Sequence, residues 1–441
     1  MIKIIKLFLI SLPLISSLLL FNVNQTVADI KIVRDSEIEE TINLVIDPLK
    51  KVSGIKDLKI YLIDDETPNA FTVGGSIIFV HTGLIVRFPD PDVLRGVIAH
   101  EIGHILGKHI IRRQQVIDNY TILAMSSAAI GLATAVSSGA PGLAVIIAGQ
   151  HIAERSVHAY SRSFESSADQ MAIQLLEKSH NSTIGMIKFF EEIKIDSKRE
   201  LINPYDQTHP LGQERLTILK SYNQKSKYSK SQNSEELIYK YRRIAVKLAA
   251  YTLELNKIPT KDSNGEEFTN YLKAIKSFRK GSFDDAINYA NKLIMKQPKD
   301  PYYHELKAQI LFESGKKGAL EEYILAARIK PNDPLILLGK AVVGITQYQN
   351  EPMRLGEFYR NLSFVIEKEP DNLLALYYLA IYYEKKDMKA KSYLNSAVIA
   401  NKLGNYKEAV ALANQALKEL EANTPDWYKA RDILAENNRN K

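Results

Sequence analysis

The chain has 441 residues, 45% of them hydrophobic and 25% charged, enough for two or three domains with their own cores. It contains no cysteine, which excludes disulfides and thiolate metal sites. Its net charge of +7 is spread along the chain without a dense basic tract. That pattern argues for solubility, with at most peripheral contact with anionic membrane surfaces, and against a nucleic-acid partner.

Residues 1–28 have the layout of a signal peptide. Lys3 and Lys6 precede an apolar run from Leu7 to Val23, and Thr26-Val27-Ala28 places small residues for cleavage after Ala28. An uncleaved anchor is the alternative, because the run approaches the length of a membrane span. The first predicted domain covers residues 29–223. Within it, Ile77 to Val80 is a short β-branched and aromatic run after a glycine pair, which predicts a strand. Ser76, Ile77, Ile78, Phe79 and Val80 are expected to offer an edge to an extended substrate backbone, with an interior strand as the alternative.

An apolar helical run from Val93 to Ala99 leads into His100-Glu101-Ile102-Gly103-His104, an H-E-x-x-H motif. Positions i and i+4 share a helix face, so His100 and His104 can grip one metal ion. Glu101, one residue along, is placed to act as general base on a water that the metal acidifies. Glu165-Ser166-Ser167-Ala168-Asp169 supplies Glu165 as the third ligand, and three ligands leave a position open for catalysis. Asp169, four residues on, can hold a ligand imidazole in one tautomer. A third histidine of metzincin type would fall at position 110, which is Ile110; His109 is one residue early. A continuing helix points His109 away, so it is expected in a supporting or surface place. The arrangement is therefore of gluzincin type, with one Zn(2+) per chain. Between the two motifs, the apolar stretch from Tyr120 to Gln150 is expected as a helical hairpin, each half too short to cross a bilayer.

These motifs, with Asn69-Ala70-Phe71, Gly74-Gly75 and Thr208-His209-Pro210 followed by Arg215, resemble metallopeptidase family 48, the HtpX- and BepA-like zinc peptidases. The resemblance covers roughly residues 30–225. One departure is Ser167, where the family often has a second acidic residue. The resemblance implies that His209 either stabilises an oxyanion or caps the metal in a resting state, and Arg215 is expected to bind a carboxylate such as Asp169. It also implies a periplasmic role in outer-membrane protein quality control, acting on misfolded envelope or outer-membrane polypeptides.

Residues 224–267 begin with a polar stretch and are expected as a linker with a connecting helix. From 268 to 441, Gly281, Gly315 and Gly404 recur with small residues at helix-turn-helix offsets, and Pro298, Pro331, Pro370 and Pro425 close successive units. This resembles tetratricopeptide repeats. Tyr377, Tyr378, Tyr382 and Tyr383 are expected mainly in the repeat core. The fold expected is mainly α with a small β-sheet, a gluzincin-type peptidase domain followed by an α-helical solenoid. Its expected function is secreted zinc-dependent proteolysis, with the repeats recruiting substrate or assembly machinery. The rivals are a repeat-based chaperone or adaptor with a latent peptidase domain, and an inner-membrane-anchored peptidase.

Overall fold

The computed structural model describes residues 31–109, 162–198, 205–206, 209–210 and 212–439. The expected signal peptide and the apolar stretch from Tyr120 to Gln150 lie outside the described residues. No helix among the described residues is long and apolar enough to cross a membrane. The described chain divides into two compact units, one up to Ser282 and one from Phe283.

The first unit joins a small sheet to a set of helices. Strands β1 (Ile32–Val33), β2 (Lys59–Ile63), β3 (Ala70–Gly74) and β4 (Ile77–His81) lie in the order β1-β2-β4-β3. β4 pairs in parallel with β2 and antiparallel with β3, and all five of its residues are buried. Both of its backbone edges are therefore taken. This corrects the expectation that Ser76 to Val80 forms an exposed substrate edge: a strand hydrogen-bonded on both sides has no ladder left to offer. The edge strand on that side, among the described residues, is β3.

Helix α1 (Ser36–Ser53) starts at Asp35, whose side chain accepts from the Ile38 amide, and stops at Gly54 in the left-handed region. After the short α2 (Thr82–Arg87), α3 (Pro91–Leu106) opens with Asp90 as N-cap and Pro91 in the first turn. α3 carries the H-E-x-x-H motif and is buried along most of its length. Two of its glycines, seven residues apart and so on one face, set how closely its neighbours approach. A Cβ on Gly103 would lie 2.6 Å from the Ala168 carbonyl oxygen of α4 (Arg162–Lys178), and one on Gly96 would lie 2.7 Å from Met186 of α5 (Ile184–Lys198). α6 (Gln213–Lys225) follows.

α7 (Glu235–Thr252) and α8 (Glu266–Arg279) also belong to this unit. A buried ionic cluster fastens them to the N-terminal end of α1. Glu37 pairs with Arg243 at 2.5 Å and with Lys247 at 3.1 Å, Lys247 reaches Asp35 at 2.7 Å, and the Tyr271 hydroxyl donates to Glu37 at 2.6 Å. The first compact unit thus runs well past Asn223, through residues that the sequence presents as linker, connecting helix and first repeat.

The second unit is a succession of helices: α9 (Phe283–Lys296), α10 (Pro301–Glu313), α11 (Ala319–Ile329), α12 (Pro334–Gln347), α13 (Gly356–Lys368), α14 (Leu373–Lys385), α15 (Lys389–Lys402), α16 (Tyr406–Leu417) and α17 (Pro425–Arg439). Each packs on the next. Alanines at the crossings, among them Ala326, Ala341, Ala397, Ala413 and Ala430, are fully buried and let the helices approach closely. Tyr378 is in this core, and Tyr377, Tyr382 and Tyr383 pack partly buried against it.

Candidate metal centre

The i,i+4 spacing on α3 sets His100 and His104 side by side, with their Nε2 atoms 3.0 Å apart. The close passage of α4 at Gly103 brings Glu165 across from them. Its carboxylate oxygens lie 3.3 Å from His100 Nε2 and 3.4 Å from His104 Nε2. His209, just before Pro210, closes the group: its Nδ1 is 3.4 Å from His100 Nε2 and 3.2 Å from Glu165 Oε1. One ligand atom from each of the four residues lies within 4.8 Å of all the others, and all four side chains are buried. Tetrahedral ligands about 2.0–2.1 Å from a zinc ion stand ~3.3 Å apart, so this donor set fits that ion.

The surrounding groups orient the donors. Asp169 Oδ1 lies 2.9 Å from His100 Nδ1, on the side of the ring away from the cluster. Arg215 grips Asp169 with two parallel bonds, Nε to Oδ2 at 2.7 Å and Nη2 to Oδ1 at 2.9 Å. Its Nη1 reaches Glu165 Oε2 at 2.9 Å and the Pro210 carbonyl at 2.9 Å. Arg215 therefore holds both α4 carboxylates and the loop that carries His209. The Phe190 ring covers its guanidinium, 4.8 Å from the ring centroid.

Charge in the cluster follows from burial and partners. Burial works against ionised Asp169 and Glu165. Hydrogen bonds from Arg215 and His100 overcome it at Asp169, and attraction to His209 with bonds from His100 and His104 overcomes it at Glu165, so both stay below the usual carboxylate range. Burial also opposes protonation of His100, but its bonds to Asp169 and Glu165 raise it to about 9. Burial pushes His104 down to about 3, so it presents a neutral ring. Glu101 is fully buried with its Oε1 3.5 Å from His209 Nε2, and burial raises its pKa. A carboxylate whose pKa is raised takes up a proton more readily than an ordinary one.

The structure thus brings together His100, Glu101, His104, Glu165, Asp169, His209 and Arg215, and leaves Ser76 to Val80 in the sheet interior. Tyr205 has no signature in the sequence, and His109 takes the supporting one of the two places expected for it. Tyr205 stacks on His209, with centroids 4.6 Å apart, and is completely buried. His109 sits against His104.

An H-E-x-x-H helix with a glutamate from a second helix defines a metallopeptidase domain of gluzincin type. Residues 33–223 match the family model described as Peptidase family M48. It is similar to the beta-barrel assembly-enhancing protease of Yersinia pestis, 25% identical over 63% of this chain and 58% of that protein. The protein of the same name in Escherichia coli (strain K12) is 22% identical over 64% of this chain and 59% of its own length. Metalloprotease YcaL of Escherichia coli (strain K12) is 30% identical over 36% of this chain and 58% of its own. The chain thus spans somewhat under two thirds of the length of these relatives.

Proposed function

We propose that this chain is an exported zinc endopeptidase that cleaves misfolded outer-membrane β-barrel proteins, and that His209 holds it closed at rest. The observation that carries this reading is the four-membered donor set, in which His209 Nδ1 stands at the same 3.2–3.4 Å separations as the α3 and α4 donors. With His209 as a fourth donor, the place that three ligands would leave open for water would be taken. When zinc is bound it polarises the scissile carbonyl and acidifies water. The chain's own residues supply the rest. His100, His104 and Glu165 would hold the ion; Asp169, clamped by Arg215, fixes the His100 ring; Glu101 takes the proton from the attacking water and can pass it to the leaving amine.

The substrate's extended backbone is read along β3 instead of β4. β3 packs beside α3 and keeps one ladder edge open among the described residues. Main-chain pairing of this kind tolerates many sequences, which suits a protease for misfolded chains. The names of the beta-barrel assembly-enhancing relatives support the substrate class. The helical unit from Phe283 onward is assigned recruitment of that substrate or of its assembly machinery, and the location is the periplasm.

The test is cleavage of casein and of an unfolded outer-membrane β-barrel by the zinc-loaded chain, with a chelator control. Chelator-sensitive cleavage of both is expected. If the zinc-loaded parent and the zinc-loaded His209→Ala protein both cleave neither substrate, the chain is instead an adaptor with a latent peptidase domain. Truncation after Ser282 should spare casein cleavage and impair that of the barrel protein. Equal processing of the barrel protein by the truncated form would remove the recruiting role.

A further inference from the structure

The two imidazoles of the H-E-x-x-H motif are supported differently. His100 has the Asp169 carboxylate behind it. His104 Nδ1, the nitrogen facing away from the donor cluster, lies 3.0 Å from Nδ1 of His109. We propose that His109 is the positioning residue for His104: it accepts the hydrogen bond that fixes this ligand's tautomer and ring plane. The inference rests on the reading of His104 as a metal ligand. His104 turns Nε2 toward the cluster, so Nδ1 carries its proton and donates, and His109 Nδ1 accepts. His109 then carries its own proton on Nε2.

Local backbone chemistry is arranged for this contact. On an uninterrupted helix, five residues at about 100° each would turn His109 roughly 140° away from His104. α3 instead ends at Leu106, and Lys108 takes a φ of 51°, in the left-handed region. That single reversal swings His109 back onto the metal face. The turn is tight: a Cβ on Gly107 would lie 2.2 Å from His109 Nε2, so only glycine leaves the ring where it is. Phe164 of α4, next to Glu165, stacks on the His109 ring with centroids 4.8 Å apart. His109 is thus wedged between the end of one ligand helix and the start of the other, 1% exposed. A ligand imidazole normally donates to a carboxylate, carbonyl or water, and loss of such a partner costs about 10–100-fold in metal affinity. Here a neutral imidazole fills that place.

The experiment measures zinc dissociation constants of the full chain by competition with a fluorescent chelator, alongside melting temperatures of the zinc-free forms. His109→Phe keeps an aromatic ring against Phe164 but has no acceptor, and His109→Asn restores an acceptor near the Nδ1 position. Gly107→Ala keeps His109 but displaces it. His109→Phe and Gly107→Ala should each weaken zinc about 10–100-fold, with His109→Asn staying close to the parent. Unchanged zinc affinity in His109→Phe would overturn the proposal. Equal weakening by Phe and Asn would also overturn it, because the ring would then act through packing. His104→Ala is measured in parallel: if it binds zinc like the parent, the ligand assignment itself fails, whereas weak binding by His104→Ala with tight binding by His109→Phe sinks this inference alone.

Discussion

The two units bury different kinds of side chain. The peptidase unit encloses His100, Glu101, His104, His109, Glu165, Asp169, His209 and Arg215 in one place, and Glu37, Arg243 and Lys247 in another. The helical unit is closed by alanine, leucine and tyrosine, with a few scattered polar groups such as His304 and Asn372. Burying ionisable groups costs free energy unless each finds a partner, so they concentrate where chemistry requires them. The second unit follows simple packing rules; the first departs from them around its metal site.

The sharpest way to test that difference is to remove charge from the first unit without disturbing its packing. Glu101→Gln is nearly isosteric and should lower turnover by at least about 10²-fold while zinc content, measured on purified protein, is unchanged. Normal turnover would mean that this buried carboxylate has no chemical role. His209→Ala should act in the opposite direction. With the capping ring gone, initial rates on casein should rise; a fall of about 10²–10³-fold would return His209 to the oxyanion role.

Packing changes compare the units next. Gly103→Ala presses a methyl against the Ala168 carbonyl, a backbone atom that cannot yield, whereas Gly344→Ala presses one against the Phe358 ring at 2.2 Å. Each should cost about 1–3 kcal/mol in thermal or denaturant unfolding. Only Gly103→Ala should also weaken zinc, because it moves Glu165 away from α3. Zinc loss in both would mean that the two regions are coupled.

The smallest effect is expected at His304, the buried histidine of the helical unit. Its Nδ1 lies 2.6 Å from Glu322 and its Nε2 3.1 Å from the Pro298 carbonyl, so both nitrogens face acceptors. The bond to Glu322 raises its pKa and outweighs burial. A raised histidine pKa stabilises the fold fully below the unfolded value of about 6.5 and loses that contribution as pH rises through the higher folded value. The melting temperature of the helical unit should therefore fall slightly from pH 6 toward alkaline pH, and His304→Gln should flatten the trend. A pH-independent melting temperature in the parent would remove the charged pair.

Two groupings were legible because helix periodicity decides which residues share a face: His100 with His104, and Glu165 with Asp169. The mainly α architecture and the run of helices after Phe283 were legible for the same reason. Strand position was not. Ile77 to Val80 marks a strand, but nothing within five residues says whether its ladders are taken, and β2 and β3 take both. His109 was expected in a supporting or surface place; its contact with His104 was not legible, because it depends on a single left-handed residue, Lys108, that turns the chain just before it. α7 and α8 lie beyond a polar stretch that resembles a boundary, and their attachment depends on Glu37 and Asp35, some two hundred residues earlier.

Arg215 has a consequence for opening. It is anchored on Asp169, and from there it holds the carbonyl of Pro210, the residue directly after His209. On the proposed capping role, His209 is therefore tethered at its C-terminal side to the same group that braces the donor cluster. It would then leave by turning its own side chain, like a hatch with one fixed hinge. On that role, release would be a short swing that leaves the donor cluster standing, and an arriving polypeptide would meet a site already assembled.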